Sequence, residues 1–163
     1  MSDTFEVLST ANWQLDDKIM TRDPFLKFAT FDGTNFVGGL INHDQLSMSL
    51  GYKVLYTGTP GAVLEQTGIP QLPVENVVMQ KGWNWIGHAP LSAYSIDEMS
   101  PVVGRFSADD QIKTRRGTLL SFGTFTGAEW AGDLVQLTPG IGYEFKVSQS
   151  VTFCYGDLCG TTN

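Results

Sequence analysis

Two pairs of adjacent acids stand 93 positions apart, Asp16-Asp17 and Asp109-Asp110. Paired carboxylates are the equipment of a glycosidase, one serving as acid and the other as base or nucleophile. Side chains of adjacent loop residues usually point apart, however. The simpler expectation is a loop or cap role, in which Asp accepts backbone N–H bonds. Arg22 and Arg115 recur at equivalent places and read as salt-bridge partners of these acids. A Ser or Cys nucleophile needs a base beside it. The chain has two histidines, His43 and His88, and neither recurs in the matching stretch of the chain. The two cysteines, Cys154 and Cys159 in "CYGDLCG", could close one small loop or remain free thiols. With two distant histidines they lack the ligand spacing of a zinc site. No glycine loop suited to phosphate is present, and most glycines fall at turns that need φ > 0. The expectation is therefore no catalytic residue, no metal, no cofactor and no enzyme activity.

The aromatic residues carry the other candidate chemistry. "GWNWIG" (82–87) places Trp83 and Trp85 two positions apart. With Trp130, Tyr52 and Tyr143 they could form a platform on which sugar rings stack. The competing reading is a hydrophobic core, because Trp130 falls at the position of Phe36, and Tyr143 at that of Tyr52. A position kept large and aromatic in two matching stretches is more simply a core position.

Those matching stretches form an internal duplication. Asp16, Asp17, Ile19, Thr21 and Arg22 match Asp109, Asp110, Ile112, Thr114 and Arg115 at an offset of 93. After one extra residue, Phe28, Thr30, Phe31, Gly33, Gly38 and Leu40 match Phe122, Thr124, Phe125, Gly127, Gly132 and Leu134 at an offset of 94. Further on, Leu46, Gly51 and Tyr52 match Leu137, Gly142 and Tyr143, and the preceding loop is three residues longer in the first copy. Identities in one order with small insertions mark a repeat architecture.

The repeated segments predict local structure. "LKFATF" and "LLSFGTF" are aromatic- and Thr-rich strands. Asp32-Gly33 predicts a two-residue type I′ hairpin turn, with Thr126-Gly127 as its counterpart. "NFVGGL" and "EWAGDL" are the return strands; "LGYKVLY", "IGYEFKV" and "VTFCY" are further strands. "GWNWIG" is another, with both tryptophans on one face because strand side chains alternate. Ser95-Ile96-Asp97-Glu98 fits a capping box opening a short helix, "SIDEMSPVV", and "SDTFEVL" would be its counterpart. The first copy's own "GWNWIG" would fall ahead of Met1. The expectation is a trimmed chain or a first repeat lacking that strand, which leaves an unpaired edge open to strand addition. Repeat one is thus placed at 1–57, a connection with one strand ("ENVVM") at 58–81, repeat two at 82–155 and a tail at 156–163.

Composition restricts the partners. A hydrophobic share of 42% suffices for a buried core. The net charge of −7 argues against nucleic acid, which is bound by neutralising phosphates, and against anionic membrane surfaces. No apolar run approaches a membrane span, and "MSDTFEVLST" shows no basic n-region or apolar h-region of a secretory signal.

Gly82, Trp83, Asn84 and Trp85, then Glu129-Trp130-Ala131-Gly132, then Leu137, Pro139, Gly140, Gly142 and Tyr143 resemble a repeat module of bacterial surface and secreted proteins. That module runs as a Gly-Trp-Asn-Trp strand, a Gly-Trp hairpin and a Leu-x-Pro-Gly-x-Gly-Tyr turn into a strand. The first copy keeps only Leu46, Gly51 and Tyr52 of the last motif. Tandem pairs of such modules resemble the pyrenoid shell proteins of diatoms and related algae (PyShell). That resemblance implies two homologous regions folded into one pseudo-symmetric protomer, tiling into a sheet around a Rubisco-rich pyrenoid in the chloroplast. The expectation is a mainly β, sandwich- or barrel-like protein: two homologous repeats packed with pseudo-two-fold symmetry, one short helix in each. Its expected function is self-assembly into a shell or lattice, with itself as partner in an extended sheet or tube and a Rubisco-rich condensate as a further one. The alternative is a carbohydrate- or ligand-binding module of a surface or secreted protein, outside the cell or at its surface. Assembly contacts are expected where the copies differ, around 1–12, 41–46 and 154–163, with Phe5, Ile41, His43, Cys154, Leu158 and Cys159 as candidates.

Overall fold

The computed structural model describes residues 12–23, 25–41, 47, 49–59 and 76–155. The chain is mainly β and divides into two compact units, Met1–Ser47 with Tyr52–Gln71, and Met48–Gly51 with Leu72–Asn163.

The first unit holds one antiparallel sheet. Its strands are β1 (Lys18–Asp23), β2 (Phe25–Phe31), β3 (Phe36–Val37) and β4 (Lys53–Leu55), in the spatial order β3-β2-β1-β4. The register pairs Lys18 with Thr30 and with Leu55, and Ile19 with Ala29 and with Val54. Alternation then turns Ile19, Thr21 and Ala29 inward. Their small core includes Leu40, with Trp13, Phe36, Ile41 and Tyr52 packed against it. The ring of Trp13 meets Phe36 edge-on at 5.0 Å and Tyr56 at 5.7 Å.

The second unit is larger. Its strands are β5 (Val77–Met79), β6 (Gly82–Gly87), β7 (Tyr94–Ser95), β8 (Met99–Val103), β9 (Gln111–Arg116), β10 (Leu119–Phe125), β11 (Trp130–Gly132), β12 (Gln136–Leu137), β13 (Gly142–Val147) and β14 (Val151–Tyr155). A five-stranded sheet runs β11-β10-β9-β13-β6, a three-stranded one β5-β14-β8, and β12 pairs with β7. Ile86, Ile112, Tyr143 and Phe145 of the first sheet share one core with Val77, Met79, Phe153 and Tyr155 of the second. This is sandwich-like packing. β5, the strand expected inside the connection 58–81, belongs to this core.

The same local bonds occur in both units. The Asp16 N–H donates to Phe31 O and the Asp109 N–H to Phe125 O, at 3.0 and 2.9 Å. The Phe31 N–H donates to Asp17 O and the Phe125 N–H to Asp110 O, both at 2.8 Å. Asp16 and Asp109 adopt left-handed φ values of 70° and 71°, which Asp tolerates better than most side chains. Gly38 and Gly132 are required for two reasons: φ is 133° and 146°, and a Cβ would strike the carbonyl oxygens of Phe28 and Phe122. β2 and β10 share one burial pattern, residue for residue.

Three expectations need correction. The helix expected at "SIDEMSPVV" is a single 3₁₀ turn, Ile96–Glu98, followed by strand β8. The capping box forms, with the Ser95 N–H donating to Glu98 and the Asp97 N–H to Ser95 Oγ. The chain then pairs with β14 instead of continuing the helix. The counterpart "SDTFEVL" lies outside the described residues. Second, the hairpin at Asp32-Gly33 is a four-residue loop, not a type I′ turn: the Asp32 N–H donates to Asn35 O and only Gly33 has positive φ. Asp32 Oδ1 accepts the N–H groups of Thr34 and Asn35, and these bonds hold its carboxyl below the ordinary carboxylate range. Third, Arg22 and Arg115 make no ion pair with a described acid, and Arg22 Nε is buried without a partner. Lys113 pairs instead with Glu144 at 3.3 Å.

Candidate functional site

The paired acids act as staples. Asp17 is fully buried. Its Oδ2 accepts the Gln14 N–H at 2.8 Å, and its Oδ1 accepts the Thr57 N–H at 2.7 Å and the Thr57 hydroxyl at 2.8 Å. Burial pushes the carboxyl up, but these bonds outweigh it and hold it below the ordinary range. Asp110 is also buried and accepts the N–H groups of Ser107 and Ser148 at 2.9 and 2.8 Å. Each carboxylate thus ties the loop before one strand to the end of a neighbouring strand of the same sheet. With their oxygens committed to backbone donors, they face no substrate.

The expected aromatic platform does not assemble. The register puts Trp83 and Trp85 on the outer face of the five-stranded sheet, and Trp130 and Tyr143 on the inner one. Trp85 is 9% exposed and Tyr143 only 2%, so neither presents a ring to a ligand. The Tyr143 hydroxyl accepts the Thr138 N–H at 2.7 Å, and the Tyr52 hydroxyl accepts the Ser47 N–H at 2.8 Å. Both tyrosines are turn anchors. Trp83 is half-buried, with Lys113 Nζ 4.3 Å from its ring centre.

Among the candidate assembly residues, Cys154 is corrected by its burial: it is 1% exposed and disulfide-bonded, so its side chain offers no contact. Both faces of β14 are covered around it. Ile41 packs against the first unit's core. Phe5, His43, Leu158 and Cys159 lie outside the described residues.

His88 is buried, with Nε2 2.7 Å from Ser92 O and Nδ1 without a partner. Its ring meets Tyr155 edge-on at 4.9 Å. Burial depresses the imidazole's pKa more than the Ser92 carbonyl restores it, and burial raises that of the Tyr155 phenol.

Two surfaces remain. One is a groove of about 570 Å³ in the second unit, floored by Phe106, Phe125 and Trp130 and rimmed by Asp97, Arg105 and Glu129. The Phe106 and Trp130 rings pack edge-on at 5.2 Å. The other is an apolar strip that occurs separately on the outward side of β2 in the first unit and of β10 in the second. Phe28 and Phe122 are 50% and 53% exposed at matching positions, beside half-exposed Leu26 and Leu120. Sequence reasoning reads both segments as strands without assigning their faces. Strict alternation from Ala29 and Gly123 turns these four side chains outward. The groove depends on pairing between distant segments, so no local pattern marks it.

No protein-family model, curated protein or solved structure matches the chain. Among the described residues, no helix is long and apolar enough to cross a membrane.

Proposed function

We propose that the chain is a non-enzymatic structural protein, built of two homologous repeats related by pseudo-two-fold symmetry, that self-assembles into a shell or lattice like that of a pyrenoid. The observation that carries this reading is the duplicated apolar strip, Leu26 and Phe28 on β2 and Leu120 and Phe122 on β10. Contiguous exposed apolar surface marks interaction sites. A protomer carrying such strips on two similar but non-identical repeats makes heterologous contacts, which extend unless a rotation closes them. The second reading, a carbohydrate-binding module of a surface or secreted protein, draws support from the groove under Trp130 and from the disulfide at Cys154, a bond favoured in oxidising compartments.

Electron microscopy and light scattering of the purified chain, at rising concentration and from about 0.01 to 0.2 M salt, test the proposal. Extended sheets or tubes are expected, forming more readily as screening reduces the self-repulsion of a −7 protomer. A monomer throughout that range, with glycan-dependent quenching of tryptophan fluorescence, would replace assembly by the second reading.

A further inference from the structure

We infer that the outer face of the first unit's sheet docks into the aromatic groove of the second unit of another copy. This deepens, and rests on, the self-assembly reading. The register places Lys18, Met20, Arg22, Leu26, Phe28 and Lys53 on that outer face, with no acid among the described outward side chains of the four strands. The corresponding face of the second unit carries Lys113, Arg115 and Lys146 but also one acid, Glu144, which stands where the first copy has Lys53 and pairs with Lys113, so the first unit's face is the more basic of the two.

The groove offers the complement. Asp97 and Glu129 are exposed on its rim, against one cation, Arg105, and its floor is aromatic. At the position of Glu129 the first copy has Asn35. At both aligned positions the second copy is the more negative, which leaves the first copy's face basic and makes the second copy's groove acidic. Cationic side chains with apolar stems suit an aromatic floor with carboxylates at its edge. Two like faces would repel, whereas face into groove attracts. Each protomer carries one of each, so the contact is heterologous and leaves a free face and a free groove at the ends of every chain of protomers.

The test uses two full-length variants. Glu129→Lys with Asp97→Asn spoils the groove and keeps the face. Lys18→Glu with Arg22→Glu spoils the face and keeps the groove. Each alone is expected to need at least about tenfold more protein to assemble than the unaltered chain, since opposed like charges at an interface are strongly unfavourable. Mixed, they are expected to recover assembly near the original concentration, seen by sedimentation, because the altered groove of one variant now meets an altered face of opposite charge on the other while the unaltered face and groove still fit. Thermal melts check folding; should the double variants melt early, Glu129→Gln and Lys18→Gln replace them, each with about a threefold loss expected. Assembly of both variants at the original concentration would refute this contact and leave self-assembly standing, as would a mixture that assembles no better than either variant alone. An unaltered chain that stays monomeric would overturn both.

Discussion

Replacing Asp110 by alanine isolates what a buried staple contributes. Its carboxylate accepts two backbone N–H groups, Ser107 at 2.9 Å and Ser148 at 2.8 Å. Alanine strands both donors, and an unpaired buried donor costs about 1–3 kcal/mol. The sum of about 2–6 kcal/mol is reduced because a buried charge no longer needs desolvation and because water can reach the exposed Ser148. A net loss of about 2–4 kcal/mol results. For a chain of 163 residues each 1 kcal/mol lowers Tm by roughly 2–4 °C, so the expected drop is on the order of 4–16 °C by calorimetry. Asp110→Asn keeps one acceptor oxygen and should lose about half as much. The neighbouring residue is the control. Asp109 is exposed at φ 71°, so Asp109→Gly relieves strain and should change Tm little. If Asp110→Ala melts within about 2 °C of the unaltered protein, the staple argument is wrong.

Trp85→Ala should cost about 3–5 kcal/mol, as for other buried aromatic truncations; unchanged urea unfolding together with lost ligand binding would return Trp85 to a recognition role. Stability should also fall in acid, in two steps. The folded-state pKa of His88 is depressed below the ordinary 6.5, so the unfolded chain takes up the proton first and stability drops as pH falls below about 6.5. Asp17 is likewise depressed below 3.8, so a second loss begins below that pH. Urea midpoints measured across pH should lose the first step in His88→Gln and part of the second in Asp17→Asn, since Asp32 and Asp133 are also held below the ordinary range. A flat profile between pH 7 and 5 in the unaltered protein would contradict the burial of His88.

Much of the fold is legible in the sequence because its signals are local. The strands β2 and β10, the loops after them and the acids before β1 and β9 lie within single short segments, where alternation and turn chemistry decide the outcome. The helix expected at Ser95 does not form because a capping box specifies only a start. Whether the turn propagates depends on the residues beyond it, and Met99–Val103 gains more from pairing with β14. The supposed platform fails for a related reason. Sequence spacing puts Trp83 and Trp85 on a common face, but only the non-local register of β13 with β6 and of β10 with β11 sends Tyr143 and Trp130 to the other. The basic face of the first sheet is hidden likewise, because Lys18, Arg22 and Lys53 become neighbours only once β4 lies beside β1.

The "GWNWIG" strand is paired along both edges. One edge of β6 pairs with β13, where Gly142 lies opposite Gly87. Its other edge receives residues 49–51: Leu50 bridges Ile86, the Gly51 N–H donates to Trp85 O at 2.9 Å, and the Gly87 N–H to Ser49 O at 3.1 Å. Gly51 is the sequence counterpart of Gly142. The strand thus meets the matching glycine segments of both copies, one along each edge. Gly51 allows the close approach, since a Cβ there would come within 2.9 Å of the Ile86 carbonyl oxygen. Backbone cannot yield as a flexible side chain does, so Gly51→Val should push residues 49–51 off β6. Amide exchange would show it: the Gly87 N–H should lose protection by roughly tenfold or more, the equivalent of about 1.4 kcal/mol. The amides between β9 and β10 should keep theirs. Unchanged protection at Gly87 would mean that β6 does not depend on this edge contact, and that residues 49–51 contribute nothing to holding it.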